Sequence, residues 1–326
     1  MINPKQIFSI SSESEFNKAA LEIFRFQATH NPVYKEFLSH LKINPSKINE
    51  VANIPFLPIE FFKNHQVVTA PPPYELTFKS SGTTGLNRSI HYVKYAEVYK
   101  QSFTRSFEYF FGDISNYTIL ALLPSYLEQG DSSLVYMAGD LIELSEKKES
   151  GFFLHNLDEL ALVLKRLERR KEKSLLLGVS YALLDYIEKY SFNLEHTIVM
   201  ETGGMKGRKK EMLREELHSH LKKGFGVNEI YSEYGMTELL TQSYSGGKGI
   251  FRSPPWKKII IRDTEDPFTR LPYGKSGGIN IIDLANIYSC SFISTQDLGK
   301  AYSDGSFEIL GRFDHSDVRG CNLLIQ

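Results

Sequence analysis

Phe78-Lys79-Ser80-Ser81-Gly82-Thr83-Thr84-Gly85-Leu86-Asn87-Arg88-Ser89 is the stretch on which the reading of the chain turns. Hydroxyl side chains alternate here with two glycines, Gly82 and Gly85, a composition that no packed helix or strand requires. Glycine lets backbone N–H groups approach a ligand closely and adopt positive φ. Successive N–H groups in such a loop form a concave nest for an anion. Ser80, Ser81, Thr83 and Thr84 add hydroxyl donors, and Arg88 adds a permanent charge that can engage two phosphate oxygens. The stretch therefore reads as a loop for a polyphosphate. It is not the G-x-x-x-x-G-K-[ST] loop, because no Gly-Lys-Ser/Thr stands at that spacing. In isolation the same residues also fit a solvated surface turn, so the rest of the chain has to decide.

Around the loop the chain reads as alternating strands and helices. Leu76-Thr77-Phe78 and Ser89 to Lys94 form a hairpin across it, followed by a helix over Tyr95 to Phe111. Tyr117 to Leu123 is a near-continuous apolar run ended by Pro124, the pattern of a strand buried on both faces. Helices are predicted over 133–144, 157–172, 181–190 and 207–223, and strands over 174–180, 197–201 and 229–232. Such alternation means a parallel sheet with helices on its faces, and ligands in such sheets sit beyond the carboxyl ends of the strands. Upstream, Ser12 or Ser14 caps a helix that Asn31-Pro32 ends, and a second helix covers 33–41. Ile54 to Lys63, broken by Pro55 and Pro58, reads as a packed loop with one helical turn. From about Tyr244 helical periodicity stops, and short β-type runs appear at 257–261, 278–283, 291–294 and 306–310. The expected division is an α/β core over 1–243 and a β-rich subdomain over 244–326.

Composition excludes several classes. With 326 residues, 41% apolar, 24% charged and a net charge of −1, the chain is an ordinary globular one with no basic excess to draw nucleic acid. Two cysteines, Cys290 and Cys321, are too few for a disulfide framework, so a reducing cytoplasm is the expected compartment. Met1 to Ser12 lacks a basic segment before an apolar core, so no signal peptide is expected. No apolar run approaches the ~20 residues of a membrane span. The 22 phenylalanines and 18 tyrosines read mostly as core, with the aromatic segments near Tyr126 and Phe152 as candidates to line an apolar pocket.

Four polar stretches stand out: Ser80 to Arg88, Gly203-Gly204-Met205-Lys206-Gly207, Tyr234-Gly235-Met236-Thr237-Glu238, and Gln296-Asp297-Leu298-Gly299 with Gly311-Arg312-Phe313-Asp314. Together and in this order they resemble the adenylate-forming superfamily of acyl-CoA synthetases, adenylation domains and firefly-type luciferases. The first resembles its S-G-T-T-G phosphate loop, with Asn87 and Arg88 where proline and lysine are usual. The others resemble its Y-G-x-T-E, T-G-D-L-G and G-R-x-D motifs. Within that superfamily, residues 54–63, 78–91 and 203–208 are most similar to the acyl-protein synthetases of bacterial luminescence systems, with phenylacetate–CoA ligases next.

The resemblance implies the large α/β domain of that fold, its parallel-rich sheets flanked by helices, with a small β-rich subdomain. It implies activation of a carboxylic acid, in the favoured reading a fatty acid, by ATP and Mg2+. Ser80, Ser81, Gly82, Thr83, Thr84, Gly85 and Arg88 would hold phosphates. Gly203, Gly204, Tyr234 and Gly235 would flank adenine, and Asp297 would take the ribose hydroxyls with help from Arg312. Thr237 would donate to the α-phosphate or acyl carboxylate, and Glu238 would hold Mg2+. Cys321, beside Arg319, is the candidate acyl acceptor by its nearness to the C-terminus. A partner reductase, a carrier protein or coenzyme A would receive the acyl group. The family's small lid domain and its lysine, ~100 residues beyond the last motif on the scale of a small domain, are expected to be absent; Lys79 and Lys300 are candidate substitutes. Two alternatives stay open: a CoA ligase, and a nucleotide-binding subunit that works only beside a partner. Tyr234 also reads as a core tyrosine, Asp297 as a turn residue, Arg312 as a surface ion pair, and Thr237-Glu238 as ordinary helix-start chemistry.

Overall fold

A computed structural model describes residues 3–81, 88–124, 130–203 and 212–312. Fourteen strands are formed among these residues. We number them β1 (Leu57–Pro58), β2 (Leu76–Lys79), β3 (Ile90–Val93), β4 (Thr118–Leu122), β5 (Gly151–Phe152), β6 (Ser174–Val179), β7 (Thr197–Thr202), β8 (Tyr231–Tyr234), β9 (Ser243–Ser245), β10 (Ile250–Arg252), β11 (Lys257–Arg262), β12 (Ser276–Asp283), β13 (Phe292–Ala301) and β14 (Phe307–Arg312). Twelve belong to one mixed sheet in the order β11-β12-β13-β14-β10-β9-β8-β7-β6-β4-β5, with β1 added parallel to β13; β2 and β3 form a separate ribbon.

The α/β half follows the predicted logic. β4, β5, β6, β7 and β8 run parallel. Every residue of β4 and β6 is buried, as the apolar runs require of strands covered on both faces. The direction changes at β8, whose other neighbour β9 is antiparallel. Past that point the sheet continues through the β-rich half as antiparallel pairs. The carboxyl ends of β6, β7 and β8 therefore open beside the point where the sheet changes character, where a ligand crevice belongs.

The amino-terminal segment backs this crevice. Ser12 caps the helix Glu13–His30 through a reciprocal box with Glu15. That helix buries Phe16, Ala20, Ile23 and Phe24 on one side. Its Gln27 is wholly buried and donates to Asn286 O at 3.0 Å and Ile287 O at 3.1 Å, while its Oε1 accepts from Ser291 N at 3.0 Å. Asn31 then caps the helix Pro32–His40 and donates to Ser289 O at 2.9 Å. The proline-broken segment becomes β1 and the helical turn Phe61–Asn64. No helix among the described residues is long and apolar enough to cross a membrane.

Three local readings are corrected. The helix predicted from Gly207 begins at Arg214: residues 204–211 lie outside the described set, and Leu213 is an exposed, extended N-cap rather than part of an apolar face. Glu215 and Glu216 mark the true first turn, where acidic residues favour the positive end of the helix. The strand predicted at 229–232 is β8, shifted so that Tyr234 is its last residue and not a loop residue. Asp297 lies inside the ten-residue β13 and not at a turn.

Candidate active site

The antiparallel register of β13 and β14 sets Asp297 opposite Arg312. The buried Asp297 carboxylate accepts from Arg312 Nε on Oδ1 at 3.0 Å and from Tyr234 Oη on Oδ2 at 2.7 Å. Tyr234 arrives from β8, and its ring meets Phe251 and Phe307 edge-on at 6.1 and 6.0 Å. Burial, reinforced by the Asp297 charge, holds its phenol well above the ordinary range, so it stays a donor. Each carboxylate oxygen of Asp297 keeps a further lone pair. The arrangement is thus a fixed acceptor with spare capacity for two hydroxyls, while the exposed Arg312 side chain covers its outer edge.

The turn Gly235–Leu239 leaves β8 on the same side and is closed by Leu239 N donating to Met236 O at 3.1 Å. A Cβ at Gly235 would come within 2.4 Å of Glu233 Oε1, so any side chain there would force the Glu233 carboxylate to move. Thr237 is half-buried and Glu238 is buried. Burial raises the Glu238 carboxyl above its ordinary value; the Ser89 hydroxyl, Arg312 and Lys63 act in the opposite direction. Asn286 Nδ2 donates to Glu238 O at 2.8 Å, and Asp283 Oδ2 accepts from the N–H groups of Leu240 and Thr241 at 3.1 and 2.9 Å.

His91, on β3, is the residue that sequence reading missed. Its Nδ1 lies 2.9 Å from Thr237 O and its Nε2 2.9 Å from Ser289 Oγ. The carbonyl can only accept, so Nδ1 carries the proton and Nε2 accepts from Ser289. Phe62 packs edge-on against the ring at 5.5 Å. Desolvation pulls the His91 pKa down to about 4, keeping it neutral. The fold therefore favours unprotonated His91. That contribution is complete above pH 6.5 and is lost as pH falls toward 4, on the order of 3 kcal/mol over the full interval. His91→Gln is expected to flatten the fall in stability between pH 7 and pH 4.5, measured by urea unfolding; an unchanged slope would remove His91 from this role.

The phosphate-loop stretch is closed at its neck. Ser80 N donates to Ser89 O at 3.0 Å and Ser89 N donates to Ser80 Oγ at 2.9 Å. Ser89 also hydrogen-bonds the Glu238 carboxyl, which puts the neck directly beside the Thr237-Glu238 turn. Arg88 donates through Nε to Ser80 O and pairs with Asp131 at 3.3 Å. Ser81 is exposed at the start of the loop, while Gly82, Thr83, Thr84 and Gly85 lie outside the described residues. At the end of β7, Gly203 takes φ +65°, a left-handed conformation that glycine adopts without penalty, and its carbonyl accepts from Ser180 Oγ at 2.8 Å. Gly204, Tyr126 and Cys321 lie outside the described residues.

Contacts thus link Tyr234, Asp297 and Arg312 into one cluster, set Arg312 near Glu238, and join Glu238 through Ser89 to Ser80 at the neck of the loop, where Ser81 and Arg88 stand on either side. The candidate substitute Lys300 leans over the Tyr302 ring at 5.2 Å, toward the β13–β14 turn, and Lys79 is an exposed residue at the end of β2. Besides His91, the unforeseen contributors are Ser89, Asn286 and Asp283. Their signal lay in polar residues embedded in apolar β-type surroundings, which a search for motifs passes over. Among the described residues no group of three or more His, Cys, Asp or Glu could hold a metal. A lone buried carboxylate beside a phosphate loop suits Mg2+, which takes one or two protein carboxylates and fills its remaining positions from phosphates and water.

A mixed sheet of this topology is the fold of the large domain of adenylate-forming enzymes. Solved structures agree on the fold. ATP-bound MatB from Rhodopseudomonas palustris superposes with a TM-score of 0.55 at 17% identity over 72% of this chain and 47% of that one. An open 2-hydroxyisobutyryl-CoA ligase in complex with 2-HIB-AMP and CoA gives 0.66 at 12% identity over 94% and 77%. The chain spans about half the length of the MatB structures it matches. No curated protein matches the sequence. The sequence profile of the family described as "Acyl-protein synthetase, LuxE" matches residues 4–326, and the chain belongs to that family.

Proposed function

We propose that the chain activates a fatty acid as its acyl adenylate and passes the acyl group to a protein thiol. The observation that carries this reading is the coupling of the Tyr234–Asp297–Arg312 cluster to buried Glu238, beside the neck of the phosphate loop. In the first step a carboxylate oxygen attacks the α-phosphorus of ATP; the new P–O bond forms as the bond to pyrophosphate breaks. Such a transfer is governed by positioning and charge stabilisation rather than covalent help. Asp297 binds the ribose hydroxyls, and Arg312 pairs with that carboxylate from its outer edge. Tyr234 fixes the orientation of Asp297. The Thr237 hydroxyl donates to the α-phosphate or the acyl carboxylate, its backbone held by His91. Glu238 holds Mg2+, which when bound neutralises charge on the phosphates. The Ser80–Arg88 loop takes the β- and γ-phosphates, and Gly203 and Gly204 flank adenine.

In the second step a thiolate attacks the acyl carbonyl, the thioester forms and AMP leaves. Cys321 is the proposed acceptor. Cys290 is unsuited: it is wholly buried in the core, which pushes its thiol up to about 12. Radiolabelled fatty acid with ATP is expected to label the wild-type chain and Cys290→Ala but not Cys321→Ser. Label that survives in Cys321→Ser places the acceptor elsewhere. The reading as a whole is tested by ATP–pyrophosphate exchange with a panel of aliphatic and aryl acids. Acid-dependent exchange, strongest with aliphatic chains, supports it; ATP binding without exchange for any acid overturns it.

A further inference from the structure

We propose that Lys257, on β11, is a positioning residue for the adenylation centre: from beneath the crevice its ammonium holds both the Thr241 carbonyl and the Tyr234 ring. This rests on the adenylation reading above. Lys257 is buried, yet none of the four motifs contains it. Its Nζ donates to Thr241 O at 2.7 Å and stands 5.3 Å from the centroid of the Tyr234 ring. Both contacts lead to the crevice. Thr241 ends the segment that follows the Thr237-Glu238 turn, and Tyr234 carries the hydroxyl that orients Asp297. A cation over an aromatic face is attracted by the ring quadrupole, most strongly where both are out of water.

The surroundings of Lys257 are those of a retained charge. Across the β11–β12 pair it faces Asp283, whose Oδ1 accepts from Thr241 Oγ1 at 2.6 Å and from Ala285 N at 3.1 Å. From β8 it faces Glu233 and Tyr234, and Glu233 in turn lies near Tyr99 and Tyr244. Burial raises the carboxyls of Asp283 and Glu233, the latter to about 7, and in both cases the Lys257 charge opposes the rise. Desolvation draws Lys257 itself down to about 8, against the pull of Asp283 and Glu233. As pH rises through that value the ammonium loses its proton, and with it the attraction to the Tyr234 ring. The amine can still donate to Thr241. Loss of charge therefore acts on Tyr234, on Asp297 behind it, and so on the ribose end of ATP rather than on the acid.

The test compares wild type, Lys257→Met and Lys257→Arg. The readouts are equilibrium binding of a fluorescent ATP analogue and the KM values of pyrophosphate exchange, taken from pH 6.5 to 9.5. Lys257→Met is expected to weaken ATP by about tenfold or more at pH 7. The KM for the acid should stay within twofold, and the alkaline fall expected of wild type should vanish. Arginine stays charged throughout this range, so Lys257→Arg is expected to hold its ATP affinity to pH 9.5. A folded Lys257→Met chain that binds ATP like wild type overturns the proposal. So does a wild-type affinity that is flat from pH 7 to 9.5, a result that needs no variant to fold. The two readings fail separately. Wild-type chain that binds ATP but shows no exchange overturns adenylation, and the binding comparison still decides the role of Lys257.

Discussion

Glu238→Gln is expected to lower acid-dependent ATP–pyrophosphate exchange by about a hundredfold to a thousandfold, the scale on which removing one preorganised charge-stabilising group acts. The side chain is nearly isosteric, and the backbone around it is held independently. Asn286 fixes the Glu238 carbonyl, His91 holds the Thr237 carbonyl before it, and Asp283 accepts from Leu240 N two residues after it. The change therefore removes the carboxylate proposed to hold Mg2+ without unfolding the turn. Stability should not fall. Burial raises the Glu238 carboxyl in the folded chain, so ionising it as pH rises opposes folding, and a neutral glutamine lacks that cost. Thermal unfolding at pH 7.5 is expected to give an equal or higher Tm. Exchange within threefold of wild type at saturating Mg2+ would remove Glu238 from the chemistry.

Asp297→Ala should act on nucleotide affinity and on the fold together. Hydrogen bonds to a charged group contribute about 1.5–3 kcal/mol each, so losing the proposed ribose contact is expected to raise the ATP dissociation constant by about tenfold to more than a hundredfold. The same change leaves Tyr234 Oη buried with its acceptor gone, at a further cost of about 1–3 kcal/mol in stability. Tyr234→Phe separates the two effects. It removes the buried donor along with the need for an acceptor, and leaves Asp297 paired with Arg312. Its ATP affinity should fall by less than that of Asp297→Ala. Equal losses in the two variants, measured by titration calorimetry, would mean that Asp297 does not meet the ribose itself.

Much of this site could be read from the chain because its parts are local motifs. Tyr234 to Glu238 and Gln296 to Gly299 are contiguous short runs whose residue types stand together in the sequence. The fully apolar runs of β4 and β6 gave away the parallel sheet in the same way. Where the reading slipped, the cause was long-range. Asp297 looks like a turn residue until β14 supplies its partner across a ten-residue strand. Tyr234 looks like a loop residue until β9 extends the pairing of β8 to Ser243. His91, Asn286, Asp283 and Lys257 belong to no motif. Each is a polar residue close to apolar ones, and its role in the site comes from a partner between 16 and 198 positions away.

The bonds of Gln27 carry a consequence for how the chain is made. Its amide is completed by Asn286, Ile287 and Ser291, some 260 positions later. On a ribosome adding about 5–20 residues per second, the first long helix emerges well before these partners exist. Through that interval its apolar face, and a glutamine destined for burial, have to be shielded by something other than their native neighbours. Nascent chains halted before Asn286 should therefore be the species that chaperones engage most strongly, and release should coincide with synthesis of the segment that β1 and Gln27 are waiting to grip.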